Sequence, residues 1–146
     1  MTKEPKNVKI TSSGVISREE EKRYWKRILI VDDNPDITTT FKVGIENSSK
    51  SIAVHTHNDP RVALLDFEPN LYDLILIDID MPYMNGFELS EKILEIDINV
   101  KICHMSAGEV NRDAMREIHP SISLGCFFKK PVSIEYFIDR IMQELD

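Results

Sequence analysis

The net charge of −7 on this 146-residue chain is unevenly spread: residues 1–26 carry +3 and the remainder carries −10. An acidic body of single-domain length disfavours nucleic-acid backbones and suits cations or basic protein surfaces. No apolar stretch approaches the roughly 18 residues of a membrane span, and residues 1–20 lack the apolar core of a secretory signal, so a cytoplasmic protein without membrane insertion is expected.

The polar arm, residues 1–24, has scattered Lys and Arg that read as a solvated face. Ser17 and Glu20 have capping-box spacing and Glu19 pairs with Arg23 at i,i+4, which predicts a short helix over 18–25 before a domain covering 25–146. Tyr24 and Trp25 are expected to pack on that domain's rim. From Arg27 strand and helix signals alternate, the mark of βα units and a parallel sheet. The first strand, 27–31, is followed by Pro35 and Asp36 opening a helix that runs toward Glu46 and breaks at Asn47, Ser48 and Ser49. A second strand, 51–56, precedes Asp59 and Pro60, an N-cap with proline at the first helical position. The third strand, 73–77, delivers Asp78, and Asn85 with Gly86 forms a turn before a helix marked by Phe87, Leu89, Ile93 and Leu94. A fourth strand, 100–105, ends at Ser106. A weaker helix over 111–118 stops at Pro120. The fifth strand, 126–129, delivers Lys130 and Pro131, and Ser133 caps a final helix with Phe137, Ile138 and Ile141 inward.

Asp32, Asp33, Asp78, Ser106 and Lys130 therefore each follow a short hydrophobic run. In open α/β sheets such runs are buried parallel strands whose carboxyl ends share one crevice. Each close carboxylate pair costs about 4 kcal/mol at an effective dielectric near 20, and one ammonium cannot neutralise three acids. A divalent cation is implied, with Mg²⁺ the simplest candidate. Other chemistry-bearing residues read as packing or surface. Cys103 and Cys126 lack metal-site or CxxC spacing and are expected to be two reduced, buried hydrophobes. His55 and His57 lack acidic or cysteine neighbours and read as surface residues, and His104 as packed on a sheet face.

Asp32 and Asp33 after a first strand, Asp78 with Pro82 and Gly86 behind it, Ser106 followed by Ala107, and Lys130 with Pro131 together resemble the receiver domain of two-component response regulators. The resemblance covers residues 27–146. It implies a flavodoxin-like α/β fold, a doubly wound five-stranded parallel sheet of order 2-1-3-4-5 with helices on both faces. It also implies that Asp78 accepts a phosphoryl group, with Asp33 as a direct Mg²⁺ ligand, Asp32 acting mainly through water, and the Asp80 backbone carbonyl completing the protein's share. Lys130 is implied to pair with phosphoryl oxygens or Asp78, the Ser106 hydroxyl to bond the installed phosphoryl group, and the Lys130-Pro131 peptide to be cis.

Signalling is implied to run through Ser106 and Phe127, which repack the face made by the fourth helix, fifth strand and fifth helix. Phe127 lacks the hydroxyl of a tyrosine, so an inward resting state is expected. The implied partners are a histidine kinase or phosphotransfer protein and a downstream protein target, with the chain a monomer or a phosphorylation-dependent dimer. No helix-turn-helix follows, so a stand-alone receiver that regulates by protein binding is expected. Two features depart from the family's pattern. Asp80 adds a carboxylate at the rim, which would tighten metal binding, repel the phosphodonor or orient a hydrolytic water. Residues 108–123 lack an Ala/Gly-rich ending. The rival reading is a haloacid dehalogenase-type phosphatase with Asp78 as nucleophile and Asp80 as general acid. That chemistry needs an acidic pair after the lysine, whereas this chain's pair lies upstream.

Overall fold

A computed structural model of the chain describes residues 9–11, 14–16 and 25–146. Five strands form one parallel sheet: β1 (Lys26–Val31), β2 (Ile52–His57), β3 (Leu74–Asp78), β4 (Lys101–Ser106) and β5 (Phe127–Lys129). Their order is β2-β1-β3-β4-β5, the arrangement expected from sequence. Between and after them run α1 (Pro35–Ser48), α2 (Pro60–Asp66), α3 (Gly86–Ile96), α4 (Arg112–Ile118) and α5 (Ile134–Leu145).

The central strands β1 and β3 carry runs that are apolar on both faces because helices cover both. Ile28, Ile30, Leu74 and Leu76 point toward Phe41 and Ile45 of α1 and Phe137 and Ile141 of α5. Their neighbours Leu29, Val31, Ile75 and Ile77 point the other way, toward Ala63 of α2 and Leu89 and Ile93 of α3. Alternation across the pleat thus feeds two cores from one run. A smaller cluster of Met115, Ile122 and Leu124 sits under α4, and the half-buried Phe127 packs against it.

Each helix begins where a side chain satisfies an otherwise orphaned backbone N–H. Asn34 caps α1 by accepting from the Asp36 N–H, Asp59 caps α2, Asn111 caps α4 and Ser133 caps α5. Asn85 and Gly86, expected as a turn, are instead the N-cap and first residue of α3, where Asn85 and Glu88 form a capping box. The caps matter to the site because α1 starts immediately after the loop that holds Asp32 and Asp33, and α3 immediately after the loop that follows Asp78.

The expectation for the cysteines needs correction. Cys103 and Cys126 are buried as expected, but they are joined in a disulfide with Cα atoms 4.7 Å apart. Sequence spacing does not show this pairing. It arises because β4 and β5 run in parallel register, with His104 opposite Phe127, which sets the preceding residues side by side. The helix expected over 18–25 lies almost wholly outside the described residues, as does Tyr24. Trp25 is 36% exposed and precedes β1 directly. Within the arm, Lys9–Thr11 and Gly14–Ile16 pair as a two-stranded antiparallel ribbon.

Gly44 on α1 faces α5, and a Cβ there would lie 2.9 Å from the Ile134 side-chain tip. That tip can rotate aside, while alanine gains about 1 kcal/mol of helix propensity over glycine. Gly44→Ala is therefore expected to change stability by less than about 1 kcal/mol in urea unfolding.

Candidate functional site

Three backbone ties hold the loops at the carboxyl edge of the sheet. The Asp32 N–H donates to the His57 carbonyl at 3.2 Å, the Ile79 N–H to Met105 at 2.9 Å, and the Lys130 N–H to Ser106 at 2.9 Å. Asn58, which sequence reading did not single out, reinforces the first tie. Its amide donates to the Asp32 carbonyl at 2.8 Å and to Thr38 Oγ1 at 3.0 Å, linking the end of β1 to α1. An Asn after an edge strand carries no signal of this role until the sheet order is known.

One carboxylate oxygen each from Asp32, Asp33 and Asp78 lies within 4.8 Å of the others, the cluster that strand-end placement implies. Their surroundings differ. Asp32 and Asp78 are buried and Asp33 is exposed. Asp32 is fully engaged: Oδ1 accepts from the Asn34 N–H at 2.9 Å and Oδ2 from Lys130 Nζ at 2.8 Å. Lys130 Nζ also lies 3.1 Å from Asp78 Oδ1, an oxygen that accepts no well-aligned hydrogen bond. The lysine thus bridges two acids and sits closer to Asp32 than to Asp78.

Electrostatics follow from this crowding. Burial and the Asp32 carboxylate push the Asp78 carboxyl up to about 6, against the pull of Lys130. Burial alone would lower the Lys130 ammonium, but its hydrogen bond to Asp32 and the close negative charges of Asp32 and Asp78 outweigh that and raise it. Three acids meet one ammonium, so a small hard dication would relieve the remaining charge and take up the poorly satisfied Asp78 oxygen. The residues present fit Mg²⁺ on that ground.

Ser106 is buried beside the cluster, but its hydroxyl is not directed at Asp78. Oγ donates to Asp80 Oδ2 at 2.8 Å and accepts from the Gly108 N–H at 3.1 Å. None of the three roles considered for Asp80 from sequence is this one. Proximity of a side chain on the loop after β3 to the end of β4 depends on strand register, with Asp78 opposite Met105. The Lys130-Pro131 peptide is cis.

The side chains of the histidines singled out from sequence have partners of their own. His55 Nδ1 pairs with the Tyr72 hydroxyl at 2.8 Å, and His57 Nε2 lies 3.6 Å from Asp66. His104 is wholly buried, packs on Phe87 and shares a 2.7 Å hydrogen bond with Ser90, and burial lowers its imidazole to about 4. No helix among the described residues is long and apolar enough to cross a membrane.

Comparison with known proteins gives this geometry its context. Among solved structures, a CheY-like response regulator receiver domain protein from Methanospirillum hungatei superposes with a TM-score of 0.72 at 26% identity, over 84% of this chain and 94% of that one. The non-phosphorylated HemR receiver domain from Leptospira biflexa gives 0.71 at 25% identity, over 83% and 94%. Among curated proteins, the nisin biosynthesis regulatory protein NisR of Lactococcus lactis is 28% identical over 79% of this chain and 48% of its own length. The chemotaxis protein CheY of Thermotoga maritima is 35% identical over 56% of this chain and 68% of its own. The chain spans less than half the length of NisR and of the regulators PprB and TrcR. The family model for the response regulator receiver domain matches residues 28–142. This chain belongs to that family, the receiver domains of two-component response regulators.

Proposed function

We propose that residues 25–146 form a phospho-accepting switch, in which Asp78 takes a phosphoryl group from the phosphohistidine of a kinase or phosphotransfer protein. The observation that carries this reading is the convergence of Asp32, Asp33 and Asp78 around a single ammonium at the carboxyl edge of the sheet. An Asp78 oxygen forms the new P–O bond, the P–N bond to the donor imidazole breaks, and that imidazole recovers a proton from solvent. Mg²⁺, held by Asp32, Asp33, Asp78 and the Asp80 carbonyl, would supply charge neutralisation on the phosphoryl oxygens.

The chain's own groups do the rest. Asp32, anchored by Asn34 and Lys130, keeps the lysine aimed at Asp78. Lys130 pairs with a phosphoryl oxygen once Asp78 is an acyl phosphate, and Ser106 donates to another. Release of Ser106 from its resting position lets Phe127 and the small cluster under α4 repack, which alters the face of α4, β5 and α5 for a protein target. The chain on this reading catalyses only its own phosphorylation and dephosphorylation.

The phosphatase alternative draws no comparable support. Downstream of Lys130, Glu144 is committed to Lys101 and Arg140, and the acid cluster found among the described residues lies at β1 and β3. Intact-mass measurement with a small-molecule phosphodonor is the direct test. The wild type is expected to gain one phosphoryl group only with Mg²⁺, and Asp78→Asn none. A metal-independent gain, or one that survives in Asp78→Asn, rejects the reading.

A further inference from the structure

We propose that the Asp80 carboxylate is a latch on the switch, holding the Ser106 hydroxyl away from the phosphoryl position until phosphorylation displaces it. The inference rests on the reading of Ser106 as a donor to the phosphoryl group, and it adds a residue whose side chain has no part in that chemistry. A serine hydroxyl has one proton. Here that proton is committed to Asp80 Oδ2 at 2.8 Å, while Oγ accepts from Gly108 at 3.1 Å. Ser106 therefore cannot donate to a phosphoryl oxygen and to Asp80 together.

The arrangement is firm because the two residues are tied from below. The Ile79 N–H bonds the Met105 carbonyl at 2.9 Å, so the residues that follow each, Asp80 and Ser106, start from fixed neighbouring positions. Asp80 is exposed whereas Ser106 is buried. A carboxylate at the rim regains water when the hydroxyl leaves it, so the latch biases the resting state without locking it. Asp80 also places negative charge near the incoming phosphoryl oxygens. That repulsion and the latch push in the same direction and must be separated experimentally.

A double-mutant cycle separates them. Affinity for beryllofluoride, a phosphoryl mimic, is measured with Mg²⁺ on the wild type, Asp80→Ala, Ser106→Ala and the double variant. Asp80→Ala keeps the backbone carbonyl and is expected to tighten binding roughly tenfold when Ser106 is present. In the Ser106→Ala background the same change is expected to shift affinity by less than about twofold. Equal tightening in both backgrounds overturns the latch in favour of plain repulsion, and no tightening in either also overturns it. The Gly108 amide resonance of the unloaded protein gives an independent readout. It is expected to move in Asp80→Ala and in Ser106→Ala, and an unmoved signal in Asp80→Ala rejects the latch. If the wild type binds no beryllofluoride, the phosphoacceptor reading fails, and the Gly108 signal still decides the Asp80 contact on its own.

Discussion

Gly86→Ala is expected to destabilise the protein by roughly 3 kcal/mol, near the upper end for an overpacked site. An added Cβ would fall 2.4 Å from the Asp78 carbonyl oxygen and 2.7 Å from Ile79 Cα. Both atoms belong to backbone and cannot rotate aside, unlike the Ile134 tip that faces Gly44. The Gly86 N–H donates to the Ile79 carbonyl at 2.9 Å, so the start of α3 is pressed against the strand end that carries Asp78. Relieving the clash must move either the helix start or Asp78 itself. The substitution should thus lower the urea midpoint and also weaken Mg²⁺-dependent phosphoryl uptake. A variant within about 1 kcal/mol of wild type would show that this close approach is soft.

Asp78→Asn is expected to have the opposite sign in protein stripped of metal. With its carboxyl raised from 3.8 to about 6, ionised Asp78 costs the folded state on the order of 2–3 kcal/mol near neutral pH. A folded-state value above the unfolded one means a contribution that is present below the unfolded pKa and lost as pH rises through the folded one. In chelator, the variant's advantage should be full at pH 7.5, shrink below about pH 6 and vanish near pH 4. Added Mg²⁺ should reduce the advantage, because the dication binds best to the protein that retains all three acids. Parallel stability profiles of the two proteins in chelator across this range would refute the crowding of Asp78 with Asp32. The residue that limits stability is then the one proposed to receive the phosphoryl group, a common arrangement at functional sites.

How much of this was legible beforehand differs by level. The type and approximate bounds of the two central strands were readable because a strand buried on both faces must be apolar throughout, and Ile28 to Val31 and Leu74 to Ile77 are; the sheet order came only with the family resemblance. Helix starts were readable at Asp59 with Pro60 and at Ser133, where cap chemistry is local. Asn85 with Gly86 misled because the same dipeptide suits a turn and an N-cap, and the capping box with Glu88 decides between them.

The amino-acid sequence by itself determined which charges stand at the ends of which strands, because alternation, capping and hydrophobic runs act over a few residues. Only the tertiary structure decided which of those charges is buried and what each one touches. Lys130 reaches Asp32 across 98 positions of chain, the Ser106 proton goes to Asp80 across 26, and Cys103 meets Cys126 because two parallel strands share a register. Such pairings depend on sheet order and rotamer together, and no local spacing encodes either.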